Sequence, residues 1–294
     1  MKVLISPFQN PFLNLSLEDY LLRADVHLPV LFFYVNRPSV VMGRFQNPWL
    51  ETNLSYLVKN DIWLVRRQSG GGCVYQDFGN LNFSFITPDP IINKRKHVEL
   101  LQAAFKKADI LLEISPRNDL WLEGKKISGS AYKQTKFSSY HHGTFLVSSD
   151  LNKLEDALKH TLVPKKTKSI ASVRSKVTTL QEKHPGVEIE DVIDLIAHHF
   201  GTIPFELEGS VLSHPMVQEA FQHLRSWEWL WGETPLFELE NGIQIRKGII
   251  ESTGKKFDRP SMEALLSESE LEELFPDFSV QHRLSSQIWE RPDS

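Results

Sequence analysis

Arg66-Arg67-Gln68-Ser69-Gly70-Gly71-Gly72-Cys73-Val74-Tyr75-Gln76-Asp77 is the stretch on which the reading of this chain turns. Three consecutive glycines directly after a predicted strand at Ile62–Val65 cost backbone entropy, so they need a reason. Close approach supplies one: without Cβ atoms the backbone can wrap a ligand and aim N–H groups at an anion. The two adjacent arginines offer permanently charged, forked donors for the same anion. A tight hairpin with solvated arginines at its base would need one or two glycines and no arginine pair, so an anion-binding loop is the better reading. Neither the G-x-x-x-x-G-K-[ST] nor the G-x-G-x-x-G spacing is present.

Outward from the loop, two periods alternate. Leu13, Leu17, Tyr20, Leu21 and Ala24 recur at helical intervals, and Val30–Val35 is a β-rich apolar run. Val40–Met42 reads as a strand, with a short helix at Leu54–Lys59. Leu81, Phe83 and Phe85 alternate with Asn80, Asn82 and Ser84, the pattern of a strand with one apolar and one polar face. Val98, Leu101, Ala104 and Phe105 predict a helix, Ile110–Ile114 a strand, and residues 119–147 several short strands. Helices follow at Asp150–Lys159, Glu188–Phe200 and Pro215–Trp229, then a strand at Ile243–Ile250. Ser267 and Glu270 have capping-box spacing for a last helix. This mixture lacks a strict βαβα rhythm, so the expected class is α+β. The expected organisation is a mixed-sheet domain at 1–225 and a small α+β accessory domain at 226–294.

Composition narrows the class. The chain has 294 residues, 41% of them hydrophobic, and a formal net charge of −4, which predicts neither a nucleic-acid nor a membrane partner. That total hides a split: residues 94–183 hold 18 basic and 9 acidic residues, whereas 205–294 hold 8 and 17. With one cysteine, Cys73, no intrachain disulfide can form. The opening Val3-Leu4-Ile5 run is too short for a signal-peptide core, and no apolar stretch approaches the ~20 residues of a membrane span, so a cytoplasmic location is expected.

Three further clusters carry chemistry. Lys125-Lys126-Ile127-Ser128-Gly129-Ser130-Ala131-Tyr132 sets a lysine beside small residues whose backbone can contact a substrate; alone it reads better as a surface hairpin with solvated lysines. Arg117-Asn118-Asp119 offers a carboxylate and an amide to a hard cation such as Mg²⁺, or is simply a polar turn. His141 and His142, adjacent on a strand, must point to opposite faces and cannot share a metal. Cys73 is a possible nucleophile with a histidine, or a small buried apolar residue.

Taken in order, these segments resemble the lipoate–protein ligases. Asn14-Leu15 with Leu17-Glu18 is similar to the family's opening helix, and Gly43-Arg44-Phe45-Gln46-Asn47-Pro48-Trp49 to its G-R-x-Q-N-P-W segment. Arg66 to Asp77 resembles its R-R-x-S-G-G-G-x-V-[FY]-H-D loop. Arg117 to Leu120, Lys126 to Tyr132, His141 to Thr144, Ser172 to Ser175 and Ser226 to Trp229 follow in the family's order. The resemblance covers residues 4 to about 232. It implies a catalytic domain of the kind shared with biotin–protein ligases and a two-step reaction. Lipoate and Mg-ATP give lipoyl-adenylate and pyrophosphate, and the acyl group then passes to a lysine of a lipoyl domain of 2-oxoacid dehydrogenase complexes or of the glycine-cleavage H protein. By the same resemblance Lys126 is the catalytic residue. Arg67, Ser69, Gly70, Gly71, Gly72, Val74, Tyr75, Asp77, Asn80, Asp119, Gly129, Ala131 and His142 bind substrate or adenylate, Phe83 lines the lipoyl tunnel, and Asp119 is the Mg²⁺ candidate. Two departures stand out: Gln76 replaces the family histidine, and the C-terminal segment is short. The short C-terminal segment leaves open a transferase that accepts only preformed lipoyl-adenylate; a separate alternative is an octanoyltransferase using Cys73.

Overall fold

The computed structural model describes residues 1–24, 28–159 and 162–257. The chain divides into two compact units, each assembled from separate stretches: residues 1–37, 76–151 and 174–222 form the first, and residues 38–75, 152–173 and 223–294 the second. The helix expected after Ser267, and most of the segment 226–294, lie outside the described residues. No described helix is long and apolar enough to cross a membrane.

The first unit is built on a six-stranded mixed sheet. Its spatial order is Ser130–Gln134, Ser139–Leu146, Asn80–Thr87, Val30–Val35, Lys2–Ile5 and Phe205–Glu206. The last three strands run parallel to one another and the rest pair antiparallel. Helix Pro11–Arg23 links the first two strands of the chain. Pro11 opens it, where no amide hydrogen is needed, and the Asn10 side chain caps it by accepting from the Phe12 and Leu13 N–H groups at 3.0 and 3.2 Å.

Both faces of this sheet are covered, which is why Val30–Val35 is apolar throughout. Leu31 and Phe33 join Phe83, Phe85 and Phe145 against helices Lys94–Lys106 and Ile189–His199. Val30, Phe32 and Tyr34 join Ile86 and Tyr140 against Leu17, Leu21 and Leu22 of the opening helix and Val217 of helix Pro215–Arg225. Two-sided burial changes the meaning of the Asn80–Thr87 alternation. Asn80, Asn82 and Ser84 form a polar face, as expected, but that face is buried and not solvated. A second sheet in this unit, Glu113–Ile114, Leu120–Leu122 and Lys125–Ser128, is antiparallel.

The second unit holds a three-stranded sheet, in the order Trp63–Arg66, Ser39–Met42 and Val74–Gln76, and a four-stranded antiparallel sheet. Two expectations are corrected here. The continuous strand at Ile243–Ile250 is a hairpin, Gln244–Arg246 with Ile249–Ile250, because Lys247 and Gly248 both take positive φ (52° and 66°) and turn the chain in two residues. The helix expected over Pro215–Trp229 stops at Arg225. Ser226 is extended (φ −67°, ψ 144°) and its hydroxyl caps a new helix, Trp227–Leu230, by accepting from Trp229 N–H at 3.1 Å.

Phe33 is fully buried in the larger core of the first unit. Phe33→Ala is expected to cost about 3–5 kcal/mol, read as a lowered midpoint in a denaturant titration at unchanged m-value.

Candidate active site

In the second unit the glycine loop is shaped from within by Arg67. Arg67 donates to Ser69 Oγ (2.9 Å), Val41 O (2.9 Å), Gly70 O (2.7 Å) and Gly72 O (2.7 Å), so one guanidinium gathers the two ends of the glycine run. Arg66 is fully buried and donates to the carbonyls of Leu230 (2.7 and 3.0 Å), Arg44 (2.7 Å) and Gln46 (2.8 Å) and to Thr234 Oγ1 (3.0 Å). Burial lowers its pKa to about 9, which leaves it charged at neutral pH. The forked donors read from the sequence as anion ligands are directed at main-chain carbonyls. What remains for an anion is the backbone: among the described residues, the N–H groups of Gly70, Gly71 and Gly72 donate to no protein acceptor. Gly43 lies under the loop, where a Cβ would stand 2.1 Å from Gly71 O, and Gly71 itself has φ +88°. Val74 and Tyr75 follow in the strand that leaves the loop. Cys73 is buried, and desolvation, with Glu51 adding to it, pushes its thiol well above the usual range. A thiol held protonated in this way is not an activated nucleophile.

In the first unit, the buried polar face collects most of the other expected positions. Strand register places Ser84 opposite His142 and Asn82 opposite Thr144, with Ala131 opposite His142 on the next strand. Thr144 N–H donates to Gly129 O at 3.2 Å, continuing that register to Gly129. Asn80 is completely buried, yet neither its Oδ1 nor its Nδ2 has a hydrogen-bond partner, a costly state that marks a place built for a ligand or ordered water. Asp77 orders the turn before it, accepting from Gly79 N–H (3.0 Å) and Asp150 N–H (2.9 Å). His142 Nδ1 lies 2.9 and 3.0 Å from the two oxygens of buried Glu18, which fixes the ring.

Lys126 reaches this face from the second sheet. A register shift between Leu120 and Trp121 leaves Ile127 unmatched, and such a bulge re-aims its neighbours. The Lys126 backbone is also fixed on its other side, donating to Lys176 O (2.9 Å) and accepting from Thr178 N–H (3.1 Å). Its ammonium pairs with Asp119 at 3.0 Å and lies across Gly129, where an added Cβ would meet Nζ at 3.2 Å. A side chain there would press on the end of the lysine. Among the described residues no three His, Cys, Asp or Glu side chains cluster as a metal cage. Asp119 is a single carboxylate, the kind of ligand Mg²⁺ takes alongside phosphate oxygens and water.

Two placements differ from expectation. Phe83 points to the opposite side of the sheet, into the closed core with Phe85 and Phe145. Gln76 is no isolated substitution. Asn36 Nδ2 donates to Gln76 Oε1 (2.7 Å), and Gln76 Nε2 donates to Asn82 Oδ1 (2.6 Å). Glu18, Asn36 and Asn82 were not read as functional from sequence; an acidic residue on an apolar helix stripe was the available signal for Glu18.

These features sit on a known framework. Residues 10–201 match the family model of the lipoyl protein ligase A/B catalytic domain. The chain belongs to that family. It is 36% identical over 266 residues, 85% of this chain and 78% of the relative, to lipoate-protein ligase A of Psychrobacter cryohalolentis. Among solved structures it is similar to LipL1 of P. falciparum in complex with lipoate (TM-score 0.69, 26% identity, 85% of this chain and 82% of that one). It is also similar to a lipoate-protein ligase A bound with ATP (TM-score 0.65, 26% identity, 78% and 97%).

His141 faces away from the polar side, with Nδ1 3.3 Å from His97 Nδ1, the two rings stacked 5.4 Å apart, and Nε2 2.9 Å from Ser130 Oγ. Burial lowers His97 to about 4, helped by Lys96, and holds His141 well below 6.5, helped by His97, His142 and Lys94. An unfolded histidine titrates near 6.5, so below that pH the unfolded chain binds protons that the folded pair refuses. This contribution to stability is complete above about pH 6.5 and is lost as pH falls toward 4. Denaturant midpoints measured between pH 7 and 4.5 should fall, and His97→Phe should flatten the fall.

Proposed function

We propose that this chain is a lipoate–protein ligase that joins lipoate to ATP as lipoyl-adenylate and then passes the acyl group to a lysine of an acceptor protein. The observation that carries the reading is the Lys126 ammonium, held by Asp119 across Gly129 on the polar face that contains the unpartnered amide of Asn80.

In the first step a lipoate carboxylate oxygen attacks the α-phosphorus, and pyrophosphate leaves. In the second the acceptor ε-amine attacks the acyl carbon; AMP leaves, and the amine loses a proton. Neither step needs a protein nucleophile. Both need reactants held in line and negative charge compensated as it moves. Lys126 supplies a positive charge on a rigid backbone, able to follow charge from the α-phosphate oxygens to the departing AMP. Asn80 offers both a donor and an acceptor. His142, held by Glu18, and Ala131 border the acyl group. The glycine loop, with its shape set by Arg67 and Ser69, presents the Gly70–Gly72 N–H groups to anionic oxygens. Asp119 would hold Mg²⁺ with the triphosphate, and the ion would supply charge neutralisation.

Acceptors are the lipoyl domains of 2-oxoacid dehydrogenase complexes or the glycine-cleavage H protein, by resemblance, and the setting is cytoplasmic. The surplus of 18 basic over 9 acidic residues in 94–183 would draw an acidic acceptor. Cys73 takes no part, so Cys73→Ser should keep most activity.

Lipoate-dependent exchange of pyrophosphate into ATP tests the first step, with octanoate and biotin as competing acids; no exchange would sink the reading. Lys126→Ala should lose about 10²–10³ in exchange rate, and near-normal exchange would remove Lys126 from its role. Transfer to an acidic lipoyl domain should slow as ionic strength rises from low to high, because steering is screened; a salt-independent rate would remove the basic surplus from the account.

A further inference from the structure

Ser172 lies in a stretch of the second unit without helix or strand, between Ile170 and Val173, which are 51% and 62% exposed. Its hydroxyl is nonetheless saturated. It donates to Glu51 Oε2 at 2.5 Å and accepts from Cys73 N–H and from Gln46 Nε2, both at 2.9 Å. Its own N–H also donates to Glu51 Oε2, at 3.2 Å. Glu51 is buried at the end of the short helix Pro48–Glu51. Gln46 continues the clamp: its Oε1 accepts from Gly43 N–H at 2.9 Å, and its Nε2 donates to Ile170 O at 3.3 Å. Gly72 lies directly under the serine, where an added Cβ would meet Ser172 Oγ at 3.2 Å.

We propose that Glu51 and Ser172 are positioning residues of the glycine loop, a latch that fastens residues 169–173 onto it and sets how its N–H groups meet the nucleotide. This rests on the ligase reading above. Three restraints act on the loop. Arg67 ties Gly70 O to Gly72 O, Gly43 admits Gly71 beneath, and Ser172 takes the Cys73 N–H. The third consumes the first amide after the glycines, whose own N–H groups take no protein acceptor among the described residues. It alone comes from a distant part of the sequence. Without the hydroxyl, a buried carboxylate, a side-chain amide and a backbone N–H lose a partner together, and the loop is free to turn its amides away. Because the latch touches no reacting atom, its loss weakens ground state and transition state alike, which raises KM and spares kcat.

The test uses the full-length protein. Ser172→Ala should raise KM for ATP in lipoate-dependent pyrophosphate exchange about tenfold, the worth of one hydrogen bond, with kcat within about twofold. Ser172→Thr, which keeps the hydroxyl, should restore most of the affinity. Glu51→Ala should match Ser172→Ala, and the double variant should be no worse than either, because the two act as one unit. Trypsin supplies a readout independent of activity: cleavage after Lys168 or Arg174 should accelerate several-fold in Ser172→Ala at a temperature well below the thermal midpoint of either protein. Unchanged KM and unchanged cleavage would overturn the latch, as would a fall in kcat with KM intact or additive effects of the two alanines. If Ser172→Ala fails to fold, the same measurements on Glu51→Gln decide, with a smaller rise in KM and faster cleavage expected and no change in either overturning the proposal. Absence of exchange in the wild-type protein would count against the ligase reading; the cleavage comparison would still judge the latch.

Discussion

A single chain of buried side-chain amides fixes the polar face of the first unit. Ser6 Oγ donates to Asn14 Oδ1 (2.6 Å), Asn14 Nδ2 to Asn36 Oδ1 (2.8 Å), Asn36 Nδ2 to Gln76 Oε1, Gln76 Nε2 to Asn82 Oδ1, and Asn82 Nδ2 to Tyr34 O (3.2 Å). Every bond runs in the same sense. Reversing one amide would set donor against donor on one side and acceptor against acceptor on the other, so each member dictates its neighbours. The chain joins the opening helix, the strand Asn80–Thr87 and Gln76, the last residue of the strand Val74–Gln76. Two-sided burial of the sheet makes it necessary, because polar groups sealed from water cost about 1–3 kcal/mol each when left unpaired.

Gln76 is legible only in that setting. Set beside the family pattern, it stands where a histidine is usual and looks like a loss. In the structure it is the central link, needing one acceptor toward Asn36 and one donor toward Asn82. A glutamine provides both without titrating, whereas an imidazole provides both only in its neutral form. The substitution keeps the relay intact at any pH where the protein folds.

Periodicity was readable because it is local, whereas the turn at Lys247–Gly248 and the cap at Ser226 were missed. Helix Pro11–Arg23, the strand Val30–Val35 and the helix Ile189–His199 announce themselves within about a dozen residues. The glycine run stood out in the sequence because three consecutive glycines have few other uses, whereas Lys126 drew notice only through the family resemblance. What failed was partnership. Nothing local to Arg66 and Arg67 says that carbonyls at positions 41, 44, 46 and 230 will take their donors before any ligand does. Nor does alternation along 80–85 say whether the polar side meets water or a helix. Phe83 was assigned to a tunnel for the same reason: its strand was visible, but which side held the closed core was not.

The arginine contacts also bear on how a loop of glycines would bind an anion. Had both guanidinium groups faced the ligand, the loop would have relied on long side chains whose ordering costs entropy at each binding event. Here that ordering is met during folding. Arg67 spends its donors on Ser69 Oγ and the carbonyls of Val41, Gly70 and Gly72, and Arg66 spends its own outside the loop, on the carbonyls of Arg44, Gln46 and Leu230 and on Thr234 Oγ1. Among the described residues the glycine N–H groups take no protein acceptor, and the two positive charges stay close in sequence to them. Lys126 follows the same logic in the first unit, with a bulge and two backbone hydrogen bonds fixing its main chain and Asp119 holding its ammonium. In both units the charged group is positioned before substrate arrives. Preorganisation of that kind lowers the reorganisation cost of the transition state, and it is the part of the chemistry a rigid scaffold can supply.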